Sequence, residues 1–298
     1  MYRCIPVFSS TAIVALLMIS GASAQNTQSI NPSVPSPAAT NSSPQKESSN
    51  APVAMAMQKP QEAATESGQR SSVSSVHVDG PYIAMTFDDG PHPTLTPKLL
   101  DILKERHLHV TFFVLGQLVK EHPEIVQRAV AEGHEIGNHS WDHKALNRLG
   151  PDGLQHELLD TSAAIKEVTG KPVTLMRPPY GATNPRLSRA IEKDFGMKVI
   201  LWSVDPLDWK DPGPKVVESR ILDGWKESGG AKSGAIILSH DIHKGTVEAM
   251  PGTLDTLLAK GYKFVTVSEL LAMESKTPAH SPSPSTPVPP ATGTPSNH

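Results

Sequence analysis

The chain has 298 residues, enough for one large domain or two small ones. A net charge of −3, with 19% charged residues, offers no basic face to nucleic acid or anionic lipid. Apolar residues reach only 38%, and the shortfall is concentrated at the two ends.

Residues 1–24 read as an export signal, with Arg3 in a positive start, an apolar run from Thr11 to Ile19, and a small-residue cleavage site at Ala22-Ser23-Ala24. The run is short for a permanent helix across a hydrocarbon core of ~30 Å. Removal is therefore expected over a retained anchor, which leaves no membrane span in the mature chain. The periplasm, the cell envelope or the medium is the expected location. Cleavage also removes Cys4, the one cysteine, so no thiol nucleophile or thiolate ligand remains and any metal must sit on His, Asp or Glu. Residues 25–75 and 275–298 are rich in Ser, Pro, Ala and Thr without apolar periodicity. Such segments bury too little surface to offset their ordering entropy, and a disordered linker and tail are expected there.

Residues 76–274 carry alternating short apolar runs and amphipathic stretches. Tyr82 to Phe87 reads as a strand, and Thr96 with Pro97 opens a helix to about Arg106. A strand over Val110 to Val114 precedes a helix from Pro123 to Gly133. A strand over His134 to Asn138 leads to a long helix from Pro151 to Thr169, closed by Gly170. Val173 to Met176 is a strand, and Asn184-Pro185 opens a helix that Gly196 closes. Then come a strand over Lys198 to Val204, a helix from Lys215 to Glu227 and a strand over Ala235 to Ser239. A helix around Thr253 to Ala259, a strand over Tyr262 to Val267 and a short helix capped by Ser268 complete the pattern. Alternation of this kind predicts parallel β-α-β units. The expected fold class is α/β, a distorted (β/α) barrel of seven or eight units, with an open doubly wound sheet as the alternative.

Polar residues cluster where the predicted strands end: Asp88-Asp89, His139, Arg177, Asp205 with Asp208, and His240. In a (β/α) barrel these positions converge on one mouth. Adjacent carboxylates repel, so Asp88-Asp89-Gly90 is either a solvated turn or a pair beside a cation. In His139-Ser140-Trp141-Asp142-His143, a helical turn would set both imidazoles on one face, in reach of one metal ion. Two His and one carboxylate, with positions open to water, suit catalytic zinc or a similar divalent ion. Arg177 precedes a rigid Pro178-Pro179-Tyr180 turn, which is either an ordinary proline turn or a site where Arg177 grips a carboxylate in bidentate fashion and the Tyr180 N–H faces an oxyanion. His240 suits a general acid if a carboxylate charges it, and is otherwise structural. Trp209 reads as packing or sugar stacking. Of the remaining histidines, His92 and His243 are expected nearest the cleft. No G-x-S-x-G elbow surrounds Ser140 or Ser239.

Taken together, Thr86–Gly90 (TFDDG), His139–His143 (HSWDH), Arg177–Tyr180 (RPPY), Asp205–Trp209 (DPLDW) and Leu238–His240 (LSH) resemble, in order, the motifs of the NodB-homology polysaccharide deacetylases, carbohydrate esterase family four. The resemblance covers about Pro81 to Val267. It implies a distorted β/α barrel domain in which Asp89, His139 and His143 hold the metal, and Asp88 is the base, held by Arg177. It further implies that His240 is the acid tuned by Asp208, that the Tyr180 backbone N–H serves the oxyanion, and that Trp209 and Leu238 wall an acetyl pocket. The implied cofactor is a divalent ion, zinc by default, with Co2+, Ni2+, Mn2+ or Fe2+ as alternatives. The implied partner is a polysaccharide of N-acetylglucosamine type: peptidoglycan, chitin oligomers or an exopolysaccharide. O-deacetylation of acetylxylan and a catalytically silent carbohydrate-binding module of the envelope are the competing functions.

Overall fold

The structure, a computed structural model, describes residues 71–226 and 228–274. The export signal, nearly all of the linker and the tail lie outside these residues. In chain order the elements are β1 (Tyr82–Asp88), α1 (Leu95–Glu105), β2 (Thr111–Val114), α2 (Gly116–Glu121), α3 (Pro123–Ala131), β3 (Glu135–Asn138), α4 (Pro151–Gln155), α5 (Thr161–Thr169) and β4 (Leu175–Met176). They continue with α6 (Pro185–Phe195), β5 (Lys198–Val199), α7 (Pro214–Asp223), β6 (Gly224–Trp225), β7 (Ser228–Gly229), β8 (Ile236–Ile237), α8 (Lys244–Ala259), β9 (Lys263–Phe264) and α9 (Val267–Ala272).

The main sheet runs β5-β4-β3-β2-β1-β8, with β9 alongside the start of β1, and its pairs are parallel. It curls until its edges meet. Val204, beyond the end of β5, bridges Ile237 of β8, while Val73 pairs with Ile200 and Ser75 with Ala235. The fold is the distorted β/α barrel expected from the alternation. It takes in residues ahead of Val76, because Val73 is buried and exchanges backbone hydrogen bonds with Val199 and Leu201.

Alternate residues of β1 explain its apolar run. Ile83, Met85 and Phe87 pack outward against the helices, among Leu99, Leu100 and Leu103 of α1. Ala84 points inward with Phe113, Leu175, Ile200 and Ile236. A strand covered on both faces reads as continuous hydrophobicity, as parallel strands do. Each such fully buried side chain contributes roughly 1.5–3 kcal/mol. Gly137 of β3 leaves room for the Phe113 ring, which would stand 2.6 Å from any Cβ there. Thr86, Asp88, His139 and Arg177 follow on this inward side, at the carboxyl ends of the strands.

Several boundaries differ from those expected. Helix α1 starts at Leu95, and Thr96 lies inside it, its hydroxyl accepting from the His92 N–H and donating to Asp241. Helix α8 begins at Lys244, nine residues before Thr253, and carries Pro251 within it. Thr266, not Ser268, caps α9, in a reciprocal capping box with Glu269. The long helix from Pro151 to Thr169 is interrupted by a π-helical turn at His156–Asp160. Helix α7 stops at Asp223, where Gly224 (φ 87°) turns the chain into the β6–β7 ribbon.

His134, just before β3, is buried, and its Nδ1 accepts from the Val110 N–H at 3.3 Å. Burial, helped by His109, lowers its pKa from 6.5 to about 4. The unfolded chain binds this proton first, so His134 favours the folded state fully above pH 6.5, and that contribution is lost as pH falls towards 4. Unfolding followed by denaturant titration, in chelator, should therefore show stability dropping by up to about 3 kcal/mol over that window. A His134→Gln variant should flatten the slope, and an unchanged slope would clear His134 of responsibility.

Candidate active site

The sharp end of β1 delivers two carboxylates to one site. Asp88 continues the strand, its N–H donating to the Ser239 carbonyl, and stays almost wholly buried. Asp89 turns out of it at φ 72°, a left-handed conformation that costs about 1–3 kcal/mol in a non-glycine residue. That turn brings its Oδ1 to 3.1 Å from His139 Nε2 and 3.2 Å from His143 Nε2.

The two imidazoles do not meet on a helical turn, as their spacing suggested. Residues 139–143 form a loop in which Ser140 (φ 73°) and His143 (φ 67°) are left-handed, and the ring centroids lie 5.1 Å apart. His139 sits at the end of β3, and its Nδ1 donates to the Arg177 carbonyl at 2.8 Å, since a carbonyl only accepts. In the neutral ring Nε2 then presents a lone pair to Asp89.

Asp89 Oδ1 is buried and has no hydrogen-bond partner. Lone-pair-bearing atoms facing one another at this range need a proton or a cation between them. Burial works to raise the Asp89 carboxyl, but the His139 and His143 imidazoles beside it outweigh that and hold it well below the usual carboxylate range. One oxygen and two imidazole nitrogens, all within 4.8 Å of one another, match the donor set of a divalent transition metal. The residues fit such an ion.

Arg177, fully buried at the end of β4, lies 4.3 Å over the Phe113 ring. Its grip on Asp88 is not bidentate. Nη1 alone donates to Asp88 Oδ1, at 2.8 Å, and also to Thr86 Oγ1 at 2.7 Å. Its remaining donors go to the Leu201 and Ile200 carbonyls. Asp88 Oδ2, unclaimed by the guanidinium, stands 3.9 Å from His139 Nε2.

Across the mouth, His240 follows β8. Asp208 Oδ1 holds its Nδ1 at 2.8 Å, while Oδ2 accepts from the His240 N–H and from Thr246 Oγ1. Burial works to lower the imidazole, but the Asp208 hydrogen bond and charge, with Asp88 and Asp89 beyond, raise it from 6.5 to about 9. His240 Nε2 points at the site, 4.0 Å from Asp89 Oδ2.

Together these groups face a pocket of ≈ 380 Å³ lined by Asp88, Asp89, His139, His143, Pro178, Tyr180, Trp202, Asp205, Trp209, Leu238 and His240. Arg177 and Asp208 stand behind it. Tyr180, at φ 61°, and Trp209 are its exposed members, and Leu238 is buried. His92 and His243 are not among the lining residues. His92 Nδ1 accepts from the N–H groups of Thr94 and Leu95, which start α1, and His243 packs edge-on against His240 at 5.8 Å. Trp202, read only as part of a strand, belongs to the wall. The buried Glu157 and Thr246 carried no signal in the sequence beyond their polarity.

A family model described as polysaccharide deacetylase matches residues 75–200. The chain is 43% identical over 188 residues to the peptidoglycan-N-acetylglucosamine deacetylase PgdA of Listeria monocytogenes, which covers 63% of this chain and 38% of that protein. It therefore spans well under half of that relative's length. A peptidoglycan-N-acetylglucosamine deacetylase of Bacillus cereus is 39% identical over 194 residues, and 87% of its length is covered. Among solved structures, the peptidoglycan deacetylase PdaC from Bacillus subtilis is similar, with a TM-score of 0.59 and 40% identity, covering 65% of this chain and 91% of that one.

Proposed function

The chain belongs to the polysaccharide deacetylase family, and from that premise we propose that it is a metal-dependent hydrolase releasing acetate from N-acetylated glucosamine-type sugars of peptidoglycan. The observation that carries this reading is the convergence of Asp89 Oδ1 with the Nε2 atoms of His139 and His143 at 3.1 and 3.2 Å, in the wall of a pocket of ≈ 380 Å³. Zinc is the proposed ion, held by these three residues. When bound, it would polarise the amide carbonyl and lower the pKa of water.

In this proposal the chain's own groups move the protons. Asp88 takes one at Oδ2, with Arg177 fixing Oδ1 so that the free oxygen faces the site. His240, charged through Asp208, delivers a proton from Nε2 to the departing nitrogen, which otherwise would have to leave as an amine anion. The Tyr180 N–H adds to oxyanion stabilisation. Trp209 and Leu238 enclose the acetyl methyl and exclude water from it. Export through the signal at residues 1–24, with the chain working at the envelope, belongs to the same proposal. Among the described residues, no helix is long and apolar enough to cross a membrane.

Acetate release from N-acetylated peptidoglycan, chitin oligomers and acetylxylan tests it. Release from the peptidoglycan is expected, to be abolished by a chelator and restored by zinc. Full release by protein shown by metal analysis to be metal-free would end the proposal. Release from acetylxylan alone would reassign the substrate.

A further inference from the structure

The loop that carries both imidazoles has no regular structure to hold it, yet each backbone N–H from Ser140 to His143 is taken by a side chain. The Ser140 N–H donates to Asn138 Oδ1 at 2.8 Å, and the His143 N–H to Ser140 Oγ at 3.0 Å. The two between them, on Trp141 and Asp142, both go to one oxygen, Glu157 Oε2, at 2.8 and 3.3 Å. From the opposite side the N–H groups of Gly116 and Gln117, opening α2, donate to the Ser140 and Trp141 carbonyls. The wedge is tight. A Cβ at Gly116 would stand 2.5 Å from the Trp141 ring and 2.6 Å from Thr161 Oγ1.

Glu157 is 1% exposed. A carboxylate so far from water is costly unless its oxygens are occupied. Here Oε2 accepts from the two loop N–H groups, while Oε1 makes no hydrogen bond and faces the charge of Lys144 Nζ at 3.3 Å. Glu157 lies in the π-helical turn, which inserts an extra residue between α4 and α5 and so offsets the side chains on either side of it. The next residue serves the same loop, because the Leu158 carbonyl accepts from Asn138 Nδ2 at 2.9 Å. One widened turn thus grips the chain on both flanks of His139.

We propose that Glu157 is a positioning residue for the metal centre: its carboxylate sets the pitch of the 139–143 loop, and thereby the separation and aim of the His139 and His143 nitrogens. It touches neither ligand side chain and acts through the backbone between them. The inference rests on the reading of Asp89, His139 and His143 as metal ligands. If it holds, one oxygen of a buried carboxylate keeps two imidazoles at metal-binding distance before any ion arrives.

The test is Zn2+ affinity of the full chain, measured by competition against a chromophoric chelator, for the parent and for Glu157→Gln, Glu157→Asp and Glu157→Leu. Gln keeps an acceptor oxygen at the same reach, and should bind Zn2+ within about threefold of the parent. Asp keeps the charge but is one methylene short, and Leu has no acceptor. Both should bind roughly 10- to 100-fold more weakly, with the circular dichroism of the metal-free proteins unchanged. If Leu fails to fold, Asp decides the matter. Parent-like Zn2+ affinity in the folded Asp and Leu variants would overturn the assignment, as would a loss in Gln equal to that in Leu. A parent that binds no Zn2+ would instead remove the metal centre itself, and this inference with it.

Discussion

Asp88→Asn should release acetate about a thousandfold more slowly than the parent while still holding one equivalent of metal. The amide keeps the shape of the carboxylate and an oxygen for Arg177 Nη1, which now sits at 2.8 Å. It has no site to take a proton. Asp89, the neighbour that reaches both imidazoles, is untouched, so metal content should survive. Stability should not survive intact. Arg177 is fully buried and would lose its counter-charge, and breaking a buried pair from one side costs about 3–5 kcal/mol. The parent and variant should therefore be compared for metal content, melting and acetate release in one buffer. A variant that is folded, loaded and as fast as the parent would strike Asp88 from the mechanism.

Asp208→Asn is the second large effect, and its signature lies in the pH profile. In the parent, activity that needs a protonated His240 should decline as pH rises through about 9, the value to which Asp208 and the site carboxylates lift it. A bound cation cancels part of the carboxylate charge, so the limb of the loaded enzyme lies at or below that value. With Asn at 208, burial is opposed only by the charges of Asp88 and Asp89, and His240 should titrate well below its value in the parent. Acetate release near pH 8 should then fall by about 10²–10³-fold, and be partly recovered in mild acid. The same shift carries a stability consequence. A raised His240 pKa favours the folded parent fully below pH 6.5, and that contribution disappears as pH climbs through 9. A kcat/KM profile whose alkaline limb stays in place in Asp208→Asn would show that His240 is not the acid.

The features that the sequence disclosed are those written in a repeated local code. Asp88, His139, Arg177, Asp208 and His240 stand out because each follows a short apolar run, and parallel strands covered on both faces must be such runs. Asn184-Pro185 and Gly196 mark α6 well, and the structure has the Asn184 side chain accepting from the Leu187 N–H and Gly196 left-handed at φ 69°. What stayed hidden depends on contacts across the fold. Helix α2 is six residues long, without a side-chain cap, wedged between β2 and α3. The first half of α8 was masked by Gly245, Pro251 and Gly252, residues whose helix propensity is overridden by packing of Val247, Ala249 and Met250. The cap at Thr266 is legible in principle, since T-x-x-E is the capping-box signature, and Ser268 lies two residues beyond it, inside the helix.

The active-site loop shows the limit most clearly. Spacing of four suggested two histidines stacked on a helix, whereas left-handed backbone at Ser140 and His143 produces the same proximity. Nothing in the residue types of a five-residue loop tells these apart. The identity of the histidines was readable, and their path was not. Glu157 was invisible for a related reason: a π-helical turn has no periodicity of its own over five residues, and a glutamate within a helical stretch looks solvated until the fold surrounds it.

The seam of the barrel carries one last consequence. Composition places the edge of the domain near Val76, but the stitch that closes the sheet lies upstream, where the Val73 carbonyl takes the Leu201 N–H at 2.7 Å. The opposite pole of that same peptide residue, the Leu201 carbonyl, supports Arg177 Nη2 at 3.1 Å. Val73 is thus two hydrogen bonds from the guanidinium that steadies Asp88. A protease nick just before Val76 would be felt as slack beneath Arg177, and so at Asp88.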